Sequence, residues 1–140
     1  MYIYLNVFMR KINKKINVEF TRGDVLYGRK NSDAFHPILF LENKDENFFV
    51  GVMLTKSSGF GNIKLLEEHV VKYSLEGEKY NFEYNNTHFV KAKFLKRNEW
   101  SPFTKVGQIN KEGLSFIEKN IMVDKAILWE EYLEGKKWNN

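Results

Sequence analysis

"HPILFLENKDENFFVGVMLTKSS", residues 36–58, decides the fold, because it contains two apolar runs joined by a short polar segment. The runs are residues 38–41 and 48–54, and "NKDEN" between them has the length and composition of a hairpin turn. In an antiparallel hairpin, the start of one strand faces the end of the other. We therefore expect His36 and Thr55 to be neighbours at the open end of the hairpin.

The overall composition is that of one folded domain. The 140 residues are 43% hydrophobic and 29% charged, which provides enough apolar surface for a packed core. Cysteine is absent, which excludes disulfides, thiolate metal sites and a cysteine nucleophile, and makes the cytoplasm the expected location. The first apolar residues precede the first positive charges, the reverse of a secretory signal, and no apolar run is long enough to span a membrane.

Strand-like segments occupy the first two thirds of the chain and helical patterns the rest. Further strands are predicted at "NVEFTRGDVLYG" and at "KYNFEY" and "HFVKAKFLKR", which flank the turn-forming "NNT". One helix is predicted after the N-cap Asn110, and a second from Asp124 to a stop at Gly135. The predicted fold class is mainly β (β+α): a single domain, residues 1–140, with a small antiparallel β barrel at 18–110 and C-terminal helices at 111–135.

Polar side chains at the open end of the hairpin form the first candidate site. His36 can act as a general acid or base, or it can be a half-buried imidazole bonded to a loop carbonyl. Thr55, Lys56 and Ser57, with Ser58, precede two glycines, so their donors can cradle a phosphate or simply cap a turn.

Basic and aromatic residues elsewhere permit contact with a polyanion but do not require it. Candidate phosphate or RNA contacts are Arg22, Arg29, Lys96, Arg97 and the possible base-stacking residue Trp100. The alternative, purely structural interpretations are that Arg22 pairs with Asp24, that the lysines are solvated, and that the tryptophan packs under the barrel. The three histidines, with His69 and His88 far from His36 in sequence, match no ligand spacing, so we expect no metal and no cofactor.

Taken in order, several of these segments resemble the MazF/PemK family of mRNA-interferase toxins. "RGDVLYG", "HPILFL" and "FFVGVMLTKS" are similar to the opening strands of that family, and "KRNEWSPFTKVGQINKEGLSFIEKNI" to its last strands and final helix. The resemblance covers about residues 18–60 and 88–121. It implies a β barrel of the MazF/PemK type that works as a cytoplasmic homodimer, cleaves single-stranded RNA and is silenced by an antitoxin protein.

The resemblance also implies residue roles. Thr55 matches the family's threonine at the end of the third strand, whereas the position of the arginine before the proline holds His36. Histidine transfers protons but cannot form a permanent bidentate phosphate clamp. The implied nuclease therefore uses His36 as acid or base, Thr55 to position the phosphate, and Arg29 or Arg22 to neutralise it, with Arg97 as a further possible clamp.

Two other functions stay open. The chain can be a non-catalytic barrel that binds protein or nucleic acid after losing the arginine, since a fold does not determine a function. It can also be an accessory protein whose aromatic C-terminal helix, residues 124–140, is a docking element.

Overall fold

The computed structural model of the chain describes residues 20–28 and 36–138, apart from the side chains of Trp100 and residues 136–138. Arg29 and the first residues of the predicted "NVEFTRGDVLYG" strand lie outside this part. The strands are β1 Asp24–Tyr27, β2 Ile38–Asn43, β3 Phe48–Thr55, β4 Ile63–Lys64, β5 Val70–Val71, β6 His88–Phe89, β7 Phe94–Arg97 and β8 Thr104–Ile109. The helices are α1 Lys111–Lys119 and α2 Trp129–Trp138.

The strands form one antiparallel sheet in the order β4-β6-β3-β2-β1-β8-β5, with β7 paired to β3 beside β6. The sheet is curled into a half-barrel, and the two helices follow it in the sequence. The expectation of a mainly β, antiparallel fold with C-terminal helices is confirmed, whereas a barrel of the MazF/PemK type stays a prediction. β3 is the longest strand and borders β2 along one edge and both β6 and β7 along the other.

The predicted hairpin of β2 and β3 is confirmed. Ile38 lies opposite Met53, and the Leu54 N–H donates a 2.9 Å hydrogen bond to the Pro37 carbonyl. At the far turn, the Asp45 carboxylate accepts hydrogen bonds from the backbone N–H groups of residues 47 and 48, at 2.8 and 2.9 Å. An aspartate that bonds the backbone two and three residues on stabilises such a turn.

Both faces of the β2–β3 hairpin are buried, which explains its nearly continuous apolar sequence. The inner face belongs to the main core, which includes Leu39, Val52 and Leu54 together with Phe89 and Ile109. The outer face is divided between two smaller clusters. One contains Ile38, Phe40, Phe49 and Phe103, and the other contains Met53, Val90, Ala92 and Phe94 with Trp129 and Tyr132 packed against it.

The predicted strand at "KYNFEY", before the "NNT" turn, is wrong. A turn does form there, with Asn86 at φ 60° as expected for asparagine, but the segment before it is not a strand paired with β6. Its Phe82 N–H bonds instead to the Val106 carbonyl at 3.0 Å, and its ring joins the main core. β6 pairs with β3 and β4, so tertiary packing overrides the local hairpin signal.

The first helix is confirmed and the boundaries of the second are corrected. The Asn110 side chain caps α1 by accepting a 2.8 Å hydrogen bond from the Gly113 N–H. The second helix begins at Trp129 rather than Asp124, because Ile127 forms a bridge with Phe94 and holds the preceding chain extended against β7. Gly135 lies inside α2 instead of ending it. Within the described residues, neither α1 nor α2 has the length and hydrophobicity of a membrane-spanning helix.

Two glycine substitutions test the packing of the hairpin. A Cβ added at Gly51 would lie 2.6 Å from Ile38 Cγ2 and 2.8 Å from the Leu39 carbonyl oxygen, whereas one added at Gly135 meets nothing within 4 Å. We expect Gly51→Ala to lower the free energy of unfolding by about 1–3 kcal/mol. Gly135→Ala, the matched control, should raise it by up to about 1 kcal/mol because alanine favours the helix. Urea denaturation measures both, and equal stability of the two variants would contradict the described packing.

Candidate functional site

A small pocket lies at the open end of the β2–β3 hairpin, on the outer face of the sheet. Its volume is about 140 Å³, and its polar lining consists of His36, Thr55, Ser57 and Asn62. A water molecule in the liquid takes about 30 Å³, and drug-sized ligands need about 300 Å³ or more. The pocket therefore has room for one small group, such as a phosphate, and the rest of a larger ligand must lie outside it.

The hairpin register brings His36 and Thr55 into this pocket from adjacent strands. Ile38 pairs with Met53, and the Leu54 N–H bonds to the Pro37 carbonyl, so continuing the register puts His36 opposite Thr55. Both residues line the pocket, so the expectation that they are neighbours at the open end of the hairpin is confirmed.

The electrostatic environment of His36 favours the neutral imidazole. The residue is exposed overall, but the part of it that lies against the pocket wall is desolvated. This partial burial lowers the pKa of His36 below its ordinary value, and the positive charge of Lys96 lowers it further. The neutral form, which can accept a proton, is therefore the dominant form at pH 7.

The hydroxyl groups of Thr55 and Ser57 stabilise the segment after β3, and each can still donate a hydrogen bond to a ligand. Thr55 Oγ1 accepts a hydrogen bond from the Ser57 N–H, and Ser57 Oγ accepts one from the Gly59 N–H, both at 3.2 Å. The Asn62 side chain donates to the Ser57 carbonyl at 3.1 Å. A hydroxyl that accepts one bond still carries its own proton as a donor. Turn capping and ligand contact are therefore compatible roles for Thr55 and Ser57.

Lys96 is not the exposed side chain that contact with RNA from solvent would require. It is only 2% exposed, and its Nζ lies 5.6 Å from the centre of the Phe94 ring. Within β7, alternation puts Phe94 and Lys96 on the outer face of the sheet, where Lys96 lies opposite the buried Phe49 and α2 packs on Phe94. The charge of Lys96 nevertheless acts on His36.

Lys56 stabilises the fold and does not take part in the pocket. Its Nζ donates to the carbonyls of Glu83 and Asn85 and to Thr87 Oγ1, at 3.1, 2.9 and 3.0 Å. These bonds hold the 83–87 turn against the end of β3. The pocket lining does not include Lys56.

Neither of the two arginines in the described part of the chain lines the pocket. Arg22 pairs with Glu118 on α1, so its expected pairing with Asp24 is not the ion pair that the structure contains. Arg97 pairs with Glu130 at 3.4 Å and lies opposite Phe48, at the other end of β3 from Thr55. Seven residues of strand separate the two ends by roughly 23 Å at about 3.3 Å each.

For two other candidate RNA-binding residues, the structure does not describe a side chain. Arg29 is outside the described residues, and so is the side chain of Trp100. The backbone of Trp100 belongs to a 3₁₀ turn, Asn98–Trp100, directly after β7 and therefore at the same end of the sheet as Arg97.

Three aromatic residues of the pocket are additions to the sequence prediction. Trp129 and Tyr132 come from α2, where their rings pack on Phe94 with centroid distances of 5.5 and 5.3 Å. Phe60 comes from the loop after β3. The apolar side of the second helix was visible in the sequence, but helical periodicity does not say which part of the sheet such a side covers.

Comparisons with protein-family models, with curated proteins and with solved structures found no match to this chain. Function is therefore inferred from the pocket itself, with the short motifs described above as a guide.

The titration of His36 tests the electrostatics of the pocket. We expect NMR to give a pKa below 6.5 for this imidazole, because burial and the Lys96 charge both disfavour the imidazolium. Lys96→Met should raise that pKa, since it removes one of the two causes while keeping an apolar stem of similar length. Lys44→Met, in the exposed turn at the far end of the hairpin, is the control and should leave it unchanged. A pKa that does not respond to Lys96→Met would contradict the coupling.

Proposed function

We propose that the protein is a metal-independent endoribonuclease that cleaves single-stranded RNA in the pocket between His36 and Thr55. One observation supports this most strongly: an imidazole with a lowered pKa and a hydroxyl donor share a phosphate-sized cavity. A neutral base and a donor to a phosphate are two of the groups that RNA cleavage through the 2′-hydroxyl needs.

His36 acts as the general base in this proposal. Its neutral imidazole takes the proton of a ribose 2′-hydroxyl, and the 2′-oxygen then forms a bond to the adjacent phosphorus. The bond from phosphorus to the 5′-oxygen breaks, and that oxygen keeps the electron pair and takes a proton from solvent at the open mouth of the pocket. The products are a 2′,3′-cyclic phosphate and a 5′-hydroxyl, and the imidazolium returns its proton to water.

The other polar groups stabilise the charge that builds up on the phosphate. The hydroxyls of Thr55 and Ser57 donate to its non-bridging oxygens, since each keeps its own proton in the turn. Lys96 adds positive potential from within the protein, where a charge acts more strongly than in water. It thus takes over part of the electrostatic role that the resemblance gives to an arginine.

The same resemblance extends the proposal to partners and location. A cytoplasmic homodimer and an antitoxin protein that covers the pocket belong with a toxin of the MazF/PemK type. The proposals of a homodimer, an antitoxin and a cytoplasmic location all depend on the nuclease activity. If the protein does not cleave RNA, they are no longer supported.

The second candidate is a binding module on the same scaffold that does not cleave RNA. The observation that favours it is the engagement of Arg22 and Arg97 in ion pairs with Glu118 and Glu130, away from the pocket. Without a bidentate arginine, a phosphate at this pocket contacts hydroxyls, and the buried Lys96, which does not line the pocket, contributes only its charge. Such a module binds single-stranded RNA or protein and leaves RNA intact.

Incubation with a long single-stranded RNA in the presence of a chelator tests the nuclease. We expect cleavage by the wild-type protein and a loss of about 100-fold or more in His36→Ala, because general-base catalysis contributes about 10²–10⁴-fold. Thr55→Val, which removes the hydroxyl at similar volume, should lose about 100-fold. The wild-type rate should also fall as the pH drops through the lowered pKa of His36, since protonation removes the base.

Ser58→Ala is the matched control, since Ser58 is exposed in the same loop but does not line the pocket, and it should cleave like the wild type. Intact RNA with every protein would rule out the enzyme, and retained RNA binding would then favour the binding module. Products with a 3′-hydroxyl would contradict the proposed attack by the 2′-oxygen.

A further inference from the structure

Phe60 is exposed at the rim of the pocket in a backbone conformation that phenylalanine seldom adopts. The residue is 71% exposed, lines the pocket with His36 and Thr55, and has φ 57°. A bulky side chain in the left-handed region is an outlier that the surrounding structure has to hold in place. Leu75 and Met122 are even more exposed, but neither lines this pocket.

A backbone hydrogen bond closes the turn that carries Phe60. The Asn62 N–H donates to the Gly59 carbonyl at 3.0 Å, which closes a four-residue turn around Phe60 and Gly61. Both central residues have positive φ, 57° and 77°, which is the pattern of a type I′ turn. Glycine, asparagine and aspartate normally occupy the first central position. A phenylalanine that is 71% exposed at this position offsets little of the backbone strain by burial, and its ring is available to a ligand at the rim of the pocket.

A cation lies beside the same turn. The Lys91 Nζ is close enough to Gly61 that a Cβ added to the glycine would lie 3.2 Å from it. Lys91 is exposed, unlike Lys96. An exposed aromatic ring next to an exposed cation is the combination by which proteins bind single-stranded nucleic acid, through base stacking and attraction to phosphate.

We propose that Phe60 stacks on the nucleobase adjacent to the phosphate held by His36 and Thr55, and that Lys91 binds a neighbouring phosphate. This inference rests on the proposed function, since it assigns the substrate contacts of that pocket. The pocket takes little more than a phosphate, so the bases of a bound strand lie outside it, at the rim that Phe60 occupies. Stacking on a phenyl ring involves no hydrogen bonds, so this contact tolerates any base.

An uncleavable strand separates binding from cleavage. A short 2′-O-methyl RNA lacks the attacking hydroxyl, and a 2-aminopurine base within it reports stacking by loss of fluorescence. We expect quenching on binding to the wild-type protein and about 10-fold or more weaker binding by Phe60→Ala. Phe60→Trp should bind at least as tightly as wild type. Lys91→Met should lower the slope of log affinity against log salt by about 0.7.

Two controls separate stacking from folding. Phe60→Gly relieves the positive φ, so it should lose binding without losing thermal stability. Tyr73→Ala, an exposed aromatic on a different loop at 58% exposure, should bind like wild type.

Wild-type affinity and quenching in both Phe60→Ala and Phe60→Gly would overturn the inference, as would failure of the wild-type protein to bind the strand. Binding that depends on Phe60 in a protein that leaves ordinary RNA intact would support the stacking site and refute the nuclease. Normal cleavage of RNA by Phe60→Ala, with unchanged binding, would support the nuclease and refute the stacking site.

Discussion

The register between β2 and β3 is the constraint on which the fold and the candidate site both depend. Side chains alternate along a strand, so a slip of one residue would move every apolar group of the hairpin to the opposite face. Pairing of Ile38 with Met53 puts one set of side chains in the main core. The other set lies on the outer face, where Ile38 joins the cluster around Phe49 and Met53 joins the cluster that α2 covers. The same register, continued to the open end, brings His36 beside Thr55.

The pocket is built at the outer face of the sheet from groups that neighbouring segments hold in place. Lys56 fixes the 83–87 turn with three hydrogen bonds, and the hydroxyls of Thr55 and Ser57 stabilise the loop that leads to Phe60. α2 adds an aromatic wall through Trp129. These contacts hold the groups of the pocket in position, and the buried charge of Lys96 contributes to the lowered pKa of the His36 imidazole.

Local patterns predicted the parts of the structure that local chemistry determines. The β2–β3 hairpin, the Asn110 cap and the proximity of His36 to Thr55 all follow from runs, turns and caps within a few residues of one another. The absence of a strand at "KYNFEY" and the start of α2 at Trp129 could not be predicted in this way, because contacts with β8 and β7 decide them. Burial of Lys96 and the aromatic wall of the pocket likewise depend on where α2 packs, which no local pattern specifies.

A cross-link between positions 36 and 55 measures the register most directly, because the chain contains no cysteine of its own. In the double variant His36→Cys, Thr55→Cys the two Cβ atoms face each other across a strand pair, within the span of a disulfide. Mild oxidation should close an intramolecular bond in nearly all molecules, detected by mass spectrometry of a peptide digest. The offset variant His36→Cys, Leu54→Cys should stay reduced, because position 54 faces the core. Closure of the offset pair, with positions 36 and 55 left reduced, would contradict the register and remove the basis for the pocket.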